Sequence, residues 1–67
     1  MLSARNQFNG KVKSIKLGTV TAEIVVDSGG IEIVSIISRI SAKAMELKKG
    51  DTVTAVVKAT EVMIATE

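Results

Sequence analysis

The stretch Thr19-Val20-Thr21-Ala22-Glu23-Ile24-Val25-Val26-Asp27, continued by Ser28-Gly29-Gly30 and Ile31-Glu32-Ile33-Val34-Ser35-Ile36-Ile37, decides the fold. Its first half alternates, with Val20, Ala22, Ile24 and Val26 on one side and Thr19, Thr21, Glu23 and Val25 on the other. Successive side chains of a strand point to opposite faces, so this pattern predicts a strand buried on one face. Asp27-Ser28-Gly29-Gly30 collects the residue types that turn a hairpin: an Asx side chain able to bond the local backbone, and glycines free to take positive φ. Beyond it, the β-branched density of Ile31, Ile33, Val34, Ile36 and Ile37 puts apolar groups on both faces of a second strand, and both faces need cover.

Towards the N-terminus, Lys11 to Leu17 reads as a strand with Val12 inward. Its apolar parity shifts between Val12 and Ile15, as a β-bulge would produce. Towards the C-terminus the period changes after Ile37. Ile40, Ala44 and Leu47 share one helical face, Ser38 or Ser41 can cap its start, and Lys48-Lys49-Gly50 is a stop signal. Thr52 to Val57 and Val62 to Ala65 resume the alternation on either side of Lys58-Ala59-Thr60-Glu61. Proline is absent, and the glycines at 10, 18, 29, 30 and 50 fall where the apolar pattern changes. Three strands, a helix and two strands predict an all-β molecule: an OB-fold-like, five-stranded Greek-key barrel with one short helix between strands 3 and 4. An SH3-like barrel is the alternative. With no repeat, low-complexity stretch or linker, one domain is expected over residues 1–67.

A chain of 67 residues buries only about 60% of the surface its unfolded form exposes. It has no cysteine for disulfides and no histidine for a zinc site, while 46% of its residues are hydrophobic and one is aromatic. That aliphatic excess has little interior to hide in, so self-association is the expected remedy. Met1 to Gln7 lacks the apolar core of a signal peptide, and no run of about 18 apolar residues occurs. The expectation is a soluble, cytoplasmic protein with no membrane partner, and the absence of cysteine agrees with a reducing compartment.

Without His, Cys or Tyr, the chain lacks the side chains most used as acids, bases and nucleophiles at neutral pH, and no enzyme is expected. A Ser3/Lys58 dyad is conceivable, but nothing singles out an oxyanion hole beside it. Single-strand nucleic-acid binding by such barrels needs aromatic platforms, and Phe8 stands alone. The acidic residues are scattered, and the Asp27 turn lacks the repeated oxygens of a calcium loop, so no cation ligands are expected. A small anion instead needs converging donors: Arg, Lys, hydroxyls and free backbone N–H groups. Two stretches supply them, Ser3-Ala4-Arg5-Asn6-Gln7 and Lys58-Ala59-Thr60. Taken alone, they read equally as a polar N-terminal arm and a β-turn with a surface lysine.

Ser3-Ala4-Arg5-Asn6-Gln7 with Gly10-Lys11-Val12 resembles the S-A-R-N-Q-x-x-G-K-V opening of the molbindins, or Mop domains. Gly18-Thr19-Val20-Thr21-Ala22-Glu23-Ile24 is similar to that family's G-x-V-[TN]-A-E-V, and Ser35-Ile36-Ile37-Ser38 to its T-S-I-I-S. Val53-Thr54-Ala55-Val56-Val57-Lys58-Ala59-Thr60-Glu61-Val62-Met63-Ile64 resembles its L-T-A-V-V-K-[AS]-T-D-V-M-[IL]. The resemblance covers nearly the whole chain, in order. It implies a homo-oligomer, a hexamer built as a trimer of dimers, that stores molybdate or tungstate without an organic cofactor. It also implies an anion site between subunits, with Ser3, Ala4, Arg5 and Asn6 from one chain and Lys58 and Ala59, the latter through its N–H, from the partner. Ser38 is implied as a further donor, and a second anion position near the threefold axes as Gly18-Thr19-Val20-Thr21. Thr60 stands where the family tolerates other residues, so its hydroxyl is not assigned a contact, and the turn at Asp27 is shorter than in some relatives.

Overall fold

The computed structural model describes residues 5–66. Four strands form, β1 (Asn6–Leu17), β2 (Thr21–Ser28), β3 (Ile31–Ser38) and β4 (Thr52–Val57), with a helix α1 (Arg39–Ala44) between β3 and β4 and a 3-10 turn at Ala59–Glu61. All pairings are antiparallel, in the order β3-β2-β1-β4. Three hairpin-connected strands with the fourth returned beside the first is the Greek-key arrangement, and the sheet curls into the half-barrel of an OB-like fold.

β1 makes the curl possible because it serves two partners in succession. Asn6–Lys11 pairs with β4 and Lys11–Leu17 with β2, Lys11 meeting both Thr52 and Asp27. The register slips between Val12 and Ser14, where the sequence parity predicts a bulge, and the extra residue bends the strand. Val12 points inward, 2% exposed, while its N–H donates to Asp51 O (2.9 Å) and its carbonyl accepts from Gly50 N (2.8 Å). Gly10 is needed at the crossing, because a Cβ there would stand 2.4 Å from the carbonyl oxygen of Asp27.

The core is Val12, Ala22, Ile24, Val26 and Ala42, with Ile15, Ile33, Ile37, Leu47, Val53 and Ala55 half-buried against it. The inward alternation expected of β2 holds for Ala22, Ile24 and Val26 but not for Val20, which is 74% exposed. The strand starts at Thr21, and residues 18–20 bend instead. In the β2–β3 hairpin Ser28 pairs with Ile31, so Gly29 and Gly30 alone make the turn, both at positive φ (59° and 89°). That is the primed geometry whose twist matches the strands, and Asp27 Oδ1 accepts from Gly30 N (3.0 Å).

Two expectations are corrected. The helix buries Ala42, whereas Ile40 is 82% exposed and Ala44 is also exposed. Ser38 caps the helix through Ser41 N, which sets Arg39 as the first helical residue, and only the small Ala42 lies against the sheet. The helix ends in a Schellman motif: Leu47 N donates to Ala42 O (3.3 Å) and Glu46 N to Lys43 O (3.0 Å). Glu46, at φ 52°, takes the left-handed position that glycine usually fills. The second correction concerns the fifth strand. Val62 to Ala65 belongs to no sheet, and Met63 and Ile64 are 91% and 87% exposed. Alternation suits a chain to a strand, but a strand also needs a ladder partner, and the turn at Ala59–Glu61 leads this segment away from its own sheet.

Candidate functional site

The two donor-rich stretches of the sequence meet at one end of the sheet. Asn6 pairs with Val57, and the antiparallel register continued by one residue sets Arg5 opposite Lys58. Both are exposed, and Asn6 is half-buried beside them. Neither Arg5 nor Lys58 has a side-chain partner among the described residues. Ala59 and Thr60 open the 3-10 turn, whose bonds run from Glu61 N to Lys58 O (2.8 Å) and from Val62 N to Ala59 O (3.3 Å). The N–H groups of Ala59 and Thr60 are therefore left without a partner among the described residues. This end carries two cations and two amide donors, drawn from the start of β1 and the end of β4. Ser3 and Ala4 lie outside the described residues.

Like charges facing across a strand pair repel, and a dianion between them would remove the repulsion while accepting their hydrogen bonds. One charge pair is matched elsewhere on the sheet: Lys13 Nζ donates to Glu32 Oε2, the one ion pair among the described residues. The hydrogen bond to Glu32, helped by the negative charges of Glu32 and Asp27, holds the Lys13 ammonium above its ordinary pKa.

A second polar cluster sits at the opposite end of β1. Leu17 pairs with Ala22 and Thr21 with Ser38, so Ser38 stands beside the Gly18-Thr19-Val20-Thr21 bend and, within one chain, far along the strands from Lys58. Its hydroxyl is engaged as the helix cap, donating to Ser41 Oγ (2.8 Å) and accepting from Ser41 N (3.0 Å). Arg39, which the sequence reading passed over, reaches this bend: its Nη1 donates to Gly18 O (2.9 Å) and its backbone N to Val20 O (2.8 Å). No sequence signal marks a contact made across 21 residues.

Between β3 and β4 the barrel is not closed by hydrogen bonds, and an apolar cleft of about 720 Å³ opens along Ile33, Ile37, Val53, Ala55 and Val57, with Lys58 and Glu61 at its mouth. No cluster of acidic, cysteine or histidine side chains able to hold a metal ion occurs among the described residues. Phe8 is isolated on the surface, so no stacking platform accompanies the lysines.

A small Greek-key barrel with donors gathered at both ends of its sheet is an OB-like binding domain. The sequence pattern of the TOBE domain family matches residues 2–64. The chain is 53% identical over 64 residues to molybdenum-pterin-binding protein 2 of Clostridium pasteurianum, covering 94% of both. Its fold is similar to that of a molybdate binding protein from Sporomusa ovata (TM-score 0.93, 44% identity, 98% of each chain covered). It is also similar to the cytoplasmic molybdate-binding protein ModG in a form with molybdate bound (TM-score 0.83, 42% identity, 88% of this chain and 43% of that one). The chain belongs to the TOBE domain family, among its molbindin (Mop) members.

Proposed function

We propose that this protein binds molybdate, or the nearly isosteric tungstate, in the cytoplasm and holds it in store without reacting with it. The observation that carries the reading is the pair of exposed, unpartnered cations, Arg5 and Lys58, brought to one end of the sheet with the free N–H groups of Ala59 and Thr60. Such a set is rich in donors, which suits an oxyanion better than a cation. The relatives support the choice of oxyanion, since two of them are described as molybdate-binding.

The site is completed between copies of the chain. A tetrahedral anion offers acceptors in four directions, and one sheet end supplies donors from one side only. Two surface features favour a second copy: the apolar cleft between β3 and β4 lacks a strand, and the apolar segment from Val62 to Ala65 lacks a sheet. That segment follows directly on Lys58–Glu61, so burying it against a second copy brings the two Arg5/Lys58 ends towards each other. Ser3, Ala4, Arg5 and Asn6 of each chain, beside its own Lys58, then face Lys58 and Ala59 of the other, with a second anion position at Gly18-Thr19-Val20-Thr21 where three copies converge in a trimer of dimers. Ligand binding and assembly are linked in such a design.

The same exposed apolar surface would suit an interaction module that carries no anion. Elemental analysis of the purified oligomer separates the two readings. Molybdenum or tungsten at a reproducible ratio to protein is the expected result, and a metal-free oligomer that takes up neither oxyanion on dialysis would contradict the proposal.

A further inference from the structure

The bend between β1 and β2 is polarised by its hydrogen bonds. Three of its carbonyl oxygens, the groups that would repel an anion, are covered: Thr21 O accepts from Gly18 N (2.7 Å), Val20 O from Arg39 N (2.8 Å) and Gly18 O from Arg39 Nη1 (2.9 Å). Its donors are left over. The N–H groups of Thr19 and Val20 and the hydroxyls of Thr19 and Thr21 have no partner among the described residues. Arg39 is half-buried, and the bond to Gly18 uses one of the five N–H donors of its guanidinium. The glycine keeps the bend tight, since a Cβ at residue 18 would come within 3.0 Å of Thr21 O.

We infer that Arg39 is the cation of the second oxyanion position, and that it acts in two ways: it caps the carbonyls of the Gly18–Thr21 bend, and it offers its remaining donors and its charge to an anion seated on the Thr19 and Val20 N–H groups. The inference rests on the proposed oxyanion binding and adds the group that position otherwise lacks. Amides and hydroxyls alone bring no net charge to a dianion, whereas a guanidinium fixed by a carbonyl brings charge and planar donors without having to be ordered on binding.

The test is calorimetric titration of the oligomer with molybdate, on wild type, Arg39→Ala and Arg39→Gln, with amide NMR shifts of Thr19 and Val20 followed in parallel. The glutamine keeps an N–H donor for Gly18 O and loses the charge, so it separates binding from simple support of the bend. Wild type is expected to show two classes of site. Both variants are expected to weaken one class by about 10- to 100-fold, to leave the class that depends on Arg5 and Lys58 unchanged, and to displace the ligand-induced shifts of Thr19 and Val20 to correspondingly higher molybdate. Retention of both classes in Arg39→Gln, or equal weakening of both, would overturn the inference, as would a wild type in which the Thr19 and Val20 amides do not respond. A wild type that binds no molybdate at all would instead remove the oxyanion proposal itself.

Discussion

Arg5 and Lys58 flank the last pair of the β1–β4 ladder, Asn6 with Val57, whose register brings distant parts of the sequence to one end of the sheet. Replacing either by alanine is expected to weaken molybdate binding by about 1.5–3 kcal/mol, the range for hydrogen bonds to charged groups, measurable by titration; unchanged affinity in both variants would move the site elsewhere. Affinity is expected to stay flat between about pH 6 and 8, because the chain has no histidine to titrate there. The Lys13–Glu32 pair does not alter this. Its raised ammonium pKa means that its contribution to stability is present throughout the neutral range and fades only as pH climbs through the raised, folded-state value of the ammonium, so a stability change near neutrality would contradict it. Gly10→Ala must push a Cβ against a backbone carbonyl that cannot swing aside, and a loss of about 1–3 kcal/mol in chemical denaturation is expected. Residue types marked Arg5 and Lys58 as candidate donors in the sequence; the contact of Arg39 was not legible there, because it is made to a carbonyl that only the folded chain brings near.

The strands were readable from local pattern wherever burial is one-sided: Ala22, Ile24 and Val26 face the core as their spacing requires, and the bulge after Val12 lies where the parity slips. The helix was readable in place and not in rotation. Six residues make fewer than two turns, too few for periodicity to choose a face, and the Ser38 cap fixes the start of the helix so that Ala42 is the residue buried against the sheet. The end of the helix gives a sharp test. Glu46 occupies a left-handed conformation that disfavours a Cβ, so Glu46→Gly is expected to raise stability by about 0.5–1 kcal/mol, seen as a higher melting temperature. A lower melting temperature would mean that the Glu46 side chain contributes more than its backbone strain removes.

The molecule as a whole exposes apolar surface that its own fold does not cover, along the cleft between β3 and β4 and over Val62, Met63 and Ile64. Alternation marked that last segment as a strand, but the chain's own sheet gives it no ladder partner, and alternation alone does not supply one. Met63→Asp with Ile64→Asp places charge on this surface without touching the buried core. It is expected to reduce the assembly's mass in light scattering while the β-sheet circular dichroism persists; an unchanged mass would put the subunit contact elsewhere. The proposed function requires these barrels to hold a specific tetrahedral oxyanion, and calorimetric titration with molybdate, tungstate and sulfate measures this. Saturable binding of molybdate and tungstate, with sulfate discriminated by its smaller size, is the predicted result, and the absence of heat and of any rise in melting temperature at tens of micromolar molybdate would contradict it.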